Sequence, residues 1–300
     1  MDAQPTQTDA WTIARLLNWT REYFTRNDVE APRLCAELLL AHALGCERLQ
    51  LYTRYEEVPA GPALDAFRAA VREAAAGRPI AHLTGRKEFF SLAFEVTGDV
   101  LIPRPETEIL VERSIDLVRK SEGRLNRILD IGTGSGCIAI SLARHLPEAH
   151  IVATDVSEAA LDVARRNAER LEVSDRIDFR AGDLFAALSP TDGDAGMFDV
   201  VVSNPPYVST APDTPLQDSV RDYEPHIALF GGPDGLAIVR RLVEGARGRL
   251  PAGGHLLMEI GFDQAAAARD LFGANEWEDV QTYRDGSGHE RVVHARRSEE

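Results

Sequence analysis

Cysteines and metal-binding patterns are scarce in this sequence. Its 300 residues include only three cysteines, and none of them forms a C-x-x-C pair. The eight histidines include no H-E-x-x-H motif, and no group of cysteines and histidines has the spacing of a zinc site. We therefore expect reduced thiols in a cytoplasmic protein, and no bound metal.

Basic residues and long apolar runs are also in short supply. Acidic residues outnumber lysine and arginine by 48 to 33, which gives a net charge of −15. Proteins that grip nucleic acid through its phosphates need basic surface, so this balance disfavours such a partner without excluding one. No apolar run is long enough to span a bilayer, and residues 1–11 contain acids but no base, unlike a secretory signal or a transit peptide. The sequence thus predicts neither a membrane partner nor direct contact with nucleic acid.

The residue patterns divide the chain into three regions. Residues 1–80 have apolar residues at helical spacing, beginning with a helix that Thr12 can cap. Residues 81–103 include alternating apolar residues that predict a β-hairpin, closed at 97–99. We therefore predict a small helical domain at 1–80, a hairpin connector at 81–103 and a larger domain at 104–300.

Strand and helix patterns alternate through the larger domain, as in a doubly wound α/β fold. The candidate strands are 127–131, 150–155, 177–180, 198–203, 255–260, 279–283 and 291–295, and helices fall near 107–120, 137–145, 157–171, 235–249 and 263–272. A surface loop is predicted at 189–196. Only a short turn joins the last two strands, so they must run antiparallel. The predicted fold class is α/β, with a Rossmann-like, seven-stranded, mostly parallel sheet that has one antiparallel edge strand.

A glycine-rich loop follows the first strand of this domain and precedes a helix. It consists of Gly132, Thr133, Gly134, Ser135 and Gly136. Glycines there let the backbone approach a ligand closely, and a helix N-terminus favours polar or anionic groups. Because Cys137 stands where the G-x-G-x-x-G fingerprint has its third glycine, a dinucleotide site is the weaker interpretation, and a plain strand-to-helix turn stays open.

Two aspartates follow the next two strands. Asp155 ends the second strand and can accept hydrogen bonds from both ribose hydroxyls of an adenosine. Asp183 follows the third strand, where it can accept one from an adenine amine. Either residue alone is more often a turn or capping aspartate. Because the carboxyl ends of parallel strands meet at one crevice, the two aspartates and the glycine loop together predict a nucleoside site.

Asn204-Pro205-Pro206-Tyr207 follows the fourth strand and is the most informative stretch of the chain. The prolines fix the backbone and carry no N–H, which leaves carbonyls available as acceptors. Asn204 adds a side-chain oxygen, and Tyr207 offers a flat face with a polar tip. We call residues 204–207 the ledge. Its acceptors and its flat aromatic face suit a planar NH2 group, whether that of an amide or that of an adenine amine.

This order of features resembles the class I S-adenosylmethionine-dependent methyltransferases. Further motifs are similar to those of the release factor glutamine methyltransferases: R-P-I-A-H-L-T-G at 78–85, L-I-P-R-P-E-T-E at 101–108, E-P-H-I-A-L at 224–229, G-G-P-D-G-L at 231–236, and E-I-G at 259–261 with Gln264. The resemblance spans nearly the whole chain. Leu184 stands where some relatives carry an aromatic residue against the adenine, a difference that bears on cofactor affinity.

The resemblance implies a function and a set of site residues. The implied cofactor is S-adenosylmethionine, bound by the glycine loop, Asp155, Asp183, Leu184 and Asn204. The implied reaction methylates N5 of the glutamine in the Gly-Gly-Gln motif of class 1 peptide chain release factors, with the 204–207 ledge as catalytic and substrate-binding residues. Arg104 and Glu106 are expected near the substrate entrance or, equally, in a rigid connector. The helical domain is expected to dock the substrate, and the protein to be a monomer.

Other functions remain open at this point. The ledge itself does not distinguish an amide from an adenine amine, so N6-adenine methylation of nucleic acid is one alternative. Glutamine methylation of a ribosomal protein needs only a different docking domain. A binding module without turnover is a third reading, and intact Asn204, Asp155 and glycine loop argue against it.

Overall fold

The structure is a computed structural model that describes residues 10–188 and 197–299, so the loop predicted at 189–196 lies outside the described residues. The described chain forms two compact units. The smaller contains residues 10–85 together with 217–223, and the larger contains the remaining described residues. The hairpin region therefore groups with the larger unit from residue 86 onward, while the domain limits at 80 and 103 stay predictions.

The smaller unit is helical, as its apolar spacing predicts. Its helices are α1 (Ile13–Arg26), α2 (Pro32–Leu44), α3 (Gln50–Thr53), α4 (Gly61–Ala75) and α5 (Ile80–Thr84), joined by the later α9 (Asp218–Tyr223). Thr12 caps α1 by accepting a hydrogen bond from the Arg15 N–H. The buried face of α1, with Ile13 and Phe24, packs on Leu40 and Phe67 to form a separate core. Within the described part of the chain, no helix is both long and apolar enough to cross a bilayer.

The larger unit alternates strands and helices. Its elements are β1 (Arg86–Phe89), β2 (Leu92–Glu95), α6 (Glu108–Lys120), β3 (Arg127–Ile131), α7 (Cys137–His145), β4 (His150–Asp155), α8 (Glu158–Arg170), β5 (Ile177–Ala181), β6 (Val200–Ser203), α10 (Ala237–Ala246), β7 (His255–Glu259), α11 (Ala265–Arg269), β8 (Trp277–Arg284) and β9 (Glu290–Arg297). Strands β3 to β9 form one seven-stranded sheet in the order β5-β4-β3-β6-β7-β9-β8. The predicted seven-stranded α/β fold is confirmed.

The antiparallel pairing lies at one side of this sheet. Strands β3 to β7 pair in parallel, whereas β9 pairs antiparallel with both β7 and β8. The strand that runs against the others is therefore β9, which lies second from the edge, and β8 is the edge strand. The short turn between β8 and β9 required their antiparallel pairing, but it carries no information about which of the two lies against β7.

Apolar side chains cover both faces of the sheet. Ile128 of β3 belongs to a core that includes α6 and α7, and the next residue, Leu129, belongs to a second core that includes α10 and α11. Successive strand side chains point to opposite faces, so a strand covered on both sides is apolar throughout. This burial holds the carboxyl ends of β3 and β6 rigidly in place.

The hairpin formed by β1 and β2 turns earlier than predicted. Phe89 pairs with Leu92, so the turn is at Phe90-Ser91 and not at 97–99. Both turn residues have positive φ, 49° and 59°, a conformation that ordinarily favours glycine or asparagine. Buried Phe89 and Phe94 anchor the hairpin in the core, and Glu108 accepts a hydrogen bond from the Phe90 N–H at 2.8 Å. Tertiary packing here overrides the local turn preference.

Candidate active site

A cavity of about 360 Å³ opens at the carboxyl ends of β3, β4 and β6. Strands β3 and β6 are neighbours, although β4 and β5 come between them in sequence. Ligands of open α/β sheets bind at such a switch point. The predicted site residues that line the cavity are Arg104, Gly132, Thr133, Gly134, Ser135, Asp155, Asp183, Leu184, Asn204 and Pro206.

Four other predicted site residues lie outside this lining of described residues. Pro205 and Tyr207 are adjacent to it in the chain. Gly136 serves the start of α7: its φ is 81°, and a Cβ there would come within 2.8 Å of Ile140. Glu106 lines a different hollow, with Glu108, Glu112 and Asp285 among its walls. The structure therefore brings Arg104 to the cavity and leaves Glu106 apart from it.

The glycine loop folds back onto the end of β4. The N–H groups of Gly132 and Thr133 both donate to the Thr154 carbonyl, at 2.8 and 2.9 Å. The Gly134 N–H donates to Asp155 Oδ2 at 2.8 Å. Gly134 has a φ of 55°, and within the described chain a Cβ there would meet no atom within 4 Å. The loop thus presents bare backbone to the cavity.

Asp130, the last but one residue of β3, is hydrogen-bonded to this loop and to the helix that follows it. It is wholly buried and accepts hydrogen bonds from the Thr133 hydroxyl at 2.7 Å and the Ala139 N–H at 3.2 Å. Burial raises the pKa of its carboxyl to about 7, against the effect of these two hydrogen bonds. Asp130 ties the loop to the first turn of α7.

Asp155 extends from the end of β4 into the cavity wall. Its two oxygens accept from the Gly134 and Ser157 N–H groups, at 2.8 and 2.9 Å. Partial burial raises the pKa of this carboxyl. A carboxylate oxygen can accept more than one hydrogen bond, so both oxygens can still receive hydroxyl donors. The backbone contacts fix the direction in which Asp155 presents them.

Asp183 and Leu184 form the far wall of the cavity. Asp183 pairs with Arg241 at 2.6 Å, and both side chains are about half exposed. Leu184 has a φ of 51°, which is rare for a leucine. This turn fits because Gly182 has no Cβ to collide with Ala187. The carboxylate of Asp183 is therefore held by an arginine as well as being open to the cavity.

Asn204 follows β6 directly, and its side chain has a fixed orientation. Its Nδ2 donates to the Thr107 hydroxyl at 3.0 Å. Its Oδ1 is buried and has no hydrogen-bond partner among the described residues. A buried acceptor without a partner is costly unless a ligand supplies the donor. Asn204 therefore offers one acceptor in a residue that lines the cavity.

Tyr207 and Glu259 support the rest of the ledge. The Tyr207 hydroxyl donates to Glu259 Oε1 at 3.1 Å, and the Tyr207 carbonyl accepts from Gln264 Nε2 at 2.9 Å. Glu259, 1% exposed, also accepts from the Thr107 hydroxyl at 2.6 Å. Burial raises the pKa of Glu259 to about 7. Burial, followed by the proximity of Glu259, raises the pKa of Tyr207, so its hydroxyl keeps its proton.

Arg104 reaches the cavity from the segment before α6. Its guanidinium forms an ion pair with Glu224, whose other oxygen accepts from the Ile102 N–H at 2.9 Å. Glu224 is 4% exposed, so this pair is largely removed from water. It joins the 101–108 motif to the 224–229 motif beside the cavity.

Four residues of this architecture were not among the predicted site residues: Thr107, Asp130, Glu224 and Glu259. Asp130 and Glu259 carried a signal, since each is an acid at the end of an apolar strand of the parallel sheet. Thr107 and Glu224 lie within the motifs at 101–108 and 224–229, but nothing in them indicated these contacts, because their partners are 152 and 120 residues away in the chain. Only the folded structure brings them together.

Comparison with known proteins agrees with this geometry. The family model described as PrmC N-terminal domain matches residues 15–85, and the methyltransferase small domain matches residues 107–217. The release factor glutamine methyltransferase of Rhodopirellula baltica is 42% identical over 297 residues, covering 97% of this chain and 98% of the relative. The chain belongs to the release factor glutamine methyltransferase family. Other members are similar over almost their whole length: that of Moorella thermoacetica is 45% identical over 96% of this chain and 100% of the relative.

Solved structures show the same fold in more distant proteins. The hMettl16 catalytic domain, in complex with the MAT2A 3′UTR hairpin 6, superposes with a TM-score of 0.51 and is 20% identical, covering 78% of this family member and 82% of that chain. The N-terminal domain of human METTL16, in complex with SAH, has a TM-score of 0.50 at 20% identity, covering 75% and 82%. At this identity the likeness extends to the fold alone.

Proposed function

We propose that this protein methylates the side-chain nitrogen N5 of the glutamine in the Gly-Gly-Gln motif of class 1 translation release factors, with S-adenosylmethionine as methyl donor. The observation that carries the proposal is the buried, unpartnered Oδ1 of Asn204, a residue that lines the cavity. It can accept a hydrogen bond from an amide NH2. Membership of the family supports the choice of a release factor as substrate.

The cavity fits S-adenosylmethionine in the chemistry of its donors and acceptors. Asp155 would accept the ribose hydroxyls, and the bare backbone of Gly132 to Gly136 would approach the rest of the nucleoside. Asp183 would accept from the adenine amine, and Leu184 would pack on the ring. Asn204, which lines the same cavity, would contact the cofactor as well as the substrate. When bound, the cofactor would supply a methyl group from a positively charged sulfur, whose bond to that methyl breaks so that a neutral thioether leaves.

The ledge acts on the nucleophile. An amide nitrogen is a poor nucleophile because its lone pair is delocalised into the carbonyl. Asn204 Oδ1 and the Pro205 carbonyl would accept its two N–H groups, which raises the electron density on nitrogen and fixes its direction. Pro206 and Tyr207 would hold the amide plane. Alignment of this kind can supply about 7–11 kcal/mol of the barrier.

The proton lost from nitrogen needs no strong base. As the new N–C bond forms, the nitrogen becomes acidic and gives one proton to water or to a nearby acceptor. Tyr207 keeps its own proton because its pKa is raised. Both oxygens of Glu259 already accept hydrogen bonds from this chain. The ledge therefore works by holding the amide.

Arg104 is proposed as a substrate-binding residue at the cavity, held in place by its ion pair with Glu224. The role of Glu106 stays a prediction. The helical unit as docking domain, a monomeric state, a cytoplasmic location and the absence of direct nucleic-acid contact also stay predictions. Neither methylation of a ribosomal protein nor of adenine is favoured by a specific observation.

The test is transfer of labelled methyl from S-adenosylmethionine to a purified class 1 release factor. The matched control is the same factor with the Gly-Gly-Gln glutamine replaced by alanine. We expect label on the first and none on the second. Equal label on both would overturn the proposed position, and no label on either would overturn the proposed substrate.

A further inference from the structure

Three hydrogen bonds connect the ledge to one buried carboxylate. Asn204 Nδ2 donates to Thr107 Oγ1 at 3.0 Å, and Thr107 Oγ1 donates to Glu259 Oε2 at 2.6 Å. The Tyr207 hydroxyl donates to Glu259 Oε1 at 3.1 Å. Glu259 itself does not line the cavity formed by the described residues, so it acts on the site only through these neighbours.

The direction of these bonds determines which end of the Asn204 amide turns towards Thr107 and which end turns away from it. In the structure both hydroxyls point their protons at Glu259, each at a different carboxyl oxygen, and the ionised form of Glu259 requires this direction because it only accepts hydrogen bonds. Thr107 has a single hydroxyl proton, and its oxygen can then only accept from Asn204. Asn204 must turn its NH2 towards Thr107, and its Oδ1 is thereby turned away from it.

The placement of Thr107 supports this role. It ends the 3-10 turn Pro105–Thr107 directly before α6, and its backbone is helical, with φ −67° and ψ −19°, so it is not placed for the capping bond that a threonine before a helix often accepts. Among the described residues Thr107 makes no such capping bond, and its hydroxyl is committed to Glu259 instead. It is 1% exposed, so water does not compete for it.

We infer that Thr107 and Glu259 are positioning residues that hold the Asn204 amide with its oxygen towards the substrate, and so make the site select an amide over a carboxylate. This inference rests on the proposed function. If the Asn204 amide were reversed, its N–H donors would face the N–H groups of the substrate glutamine and could not bond to them. The same donors would form hydrogen bonds with the carboxylate oxygens of a glutamate at that position.

The experiment compares two substitutions at one residue. Thr107→Val keeps the branched shape and removes the hydroxyl, whereas Thr107→Ser restores it. A third variant, Thr20→Val, is a control that removes a buried hydroxyl of the helical unit which, unlike that of Thr107, has no hydrogen-bond partner among the described residues. For each we would measure kcat and KM for the release factor and the Kd of S-adenosylmethionine. We would also measure the affinity ratio between release factors carrying Gly-Gly-Gln and Gly-Gly-Glu.

We expect Thr107→Val to lower kcat about 10- to 100-fold, the usual effect of removing an outer partner of a functional residue. The preference for Gly-Gly-Gln over Gly-Gly-Glu should shrink as well, because Asn204 can then turn over. Thr107→Ser should recover most of the wild-type kcat and of the preference for Gly-Gly-Gln, and Thr20→Val should leave kcat and this preference unchanged. The Kd of the cofactor should stay within about 3-fold in all three variants, since the hydroxyl is directed at Glu259.

A folded Thr107→Val variant with wild-type kcat and an unchanged preference would overturn the inference. So would a serine variant as impaired as valine, because packing alone would then explain the loss. If the valine variant does not fold, Glu259→Gln replaces it in the experiment, because the glutamine amide can donate an N–H to Thr107. An unchanged preference for Gly-Gly-Gln over Gly-Gly-Glu in that variant would also overturn the inference. Absence of transfer by the wild-type protein would overturn the proposed function, and this inference with it.

Discussion

Asp155 ends β4 and Asn204 follows β6 in the same sheet, and the proposed function gives them different main roles. Asn204 lines the cavity and is proposed to contact the nucleophile, whereas Asp155 accepts a hydrogen bond from the glycine loop and is proposed to contact the cofactor. Removal of the Asn204 side chain should therefore mainly affect kcat, and removal of the Asp155 side chain should mainly affect the Kd of the cofactor. The two substitutions together separate chemistry from cofactor binding.

Asn204→Ala should lower kcat at least about 100-fold, as removal of a preorganised polar group at a reacting centre does. The Kd of S-adenosylmethionine, measured by calorimetry, should change only a few-fold. Wild-type kcat in this variant would show that Asn204 is only a turn residue and would contradict the mechanism.

Asp155→Ala should weaken cofactor binding about 10-fold or more, since hydrogen bonds to a charged group are lost. The suitable control is Asp162→Ala, which removes an exposed carboxylate from α8 that pairs with Arg165. An unchanged cofactor Kd in Asp155→Ala would remove the ribose role.

The buried carboxyls Asp130 and Glu259 make stability depend on pH. Burial raises the pKa of each to about 7 in the folded protein, whereas in an unfolded chain they ionise near pH 4. The folded state therefore binds protons more tightly between these values. The free energy of unfolding contributed by these groups is greatest below about pH 4, falls as pH rises towards 7, and is level above it.

Asp130→Asn should flatten this fall, because the amide does not ionise. Urea unfolding of the wild type and the variant at a series of pH values from 5 to 8 measures the difference. An identical slope in both proteins would mean that Asp130 titrates normally in the folded state.

The sequence predicted residues whose proposed partners are ligands, and it did not predict residues whose partners are distant side chains. Asp155 and Asn204 were predictable because Asp155 ends, and Asn204 directly follows, a strand with an apolar pattern. Thr107 was not, since its role depends on β7 lying beside β6 and on α6 beginning over their ends. No local pattern carries either fact.

At the scale of elements, two glycines hold the ledge against the segment that follows it. A Cβ on Gly231 would overlap the Pro206 carbonyl, and a Cβ on Gly235 would overlap the Tyr207 carbonyl. Gly235 also has a φ of 73°, which an L side chain rarely adopts. The backbone of the ledge is thus packed directly on backbone.

Gly235→Ala should therefore lower kcat and destabilise the fold by about 1–3 kcal/mol, as overpacking does. Thermal unfolding and methyl transfer measure the two effects. Gly286→Ala is the matched control, because a Cβ there meets no atom of the described chain within 4 Å. Equal stability of the two variants would contradict close packing at the ledge.

Element boundaries followed the sequence where periodicity was strong. The predictions at 127–131, 137–145 and 150–155 agree with β3, α7 and β4 residue for residue. The hairpin turn did not, because Phe90-Ser91 lacks the glycine or asparagine that marks such a turn. The buried phenylalanines on either side maintain the conformation of the turn. Their burial depends on tertiary packing, which the local sequence does not reveal.

At the scale of the whole molecule, the charge of −15 bears on the adenine alternative. Contacts to phosphates require lysine and arginine, and they weaken strongly with salt. We expect no methyl transfer to duplex DNA or to a structured RNA, even at low salt where such contacts are strongest. Label on adenine N6 above the level of a reaction without protein would contradict this.

The composition of the smaller unit was the least predictable feature at this scale. Its helical character follows from apolar spacing in the first eighty residues. Nothing in the local pattern of residues 217–223 indicates that they group with residues 10–85. Membership in a unit depends on contacts made after folding.

The position of β9 has a consequence for the order of events during synthesis. A ribosome delivers β8 before β9, yet in the sheet of described strands β8 pairs only with β9. If β8 paired with β7 as soon as it emerged, it would occupy the place of β9. The turn at 285–288 counters this: Asp285 accepts from the Ser287 and His289 N–H groups, each at 2.9 Å. If this turn forms early, β8 and β9 can pair with each other before they join β7. The nascent chain then avoids a sheet in which β8 occupies the position of β9.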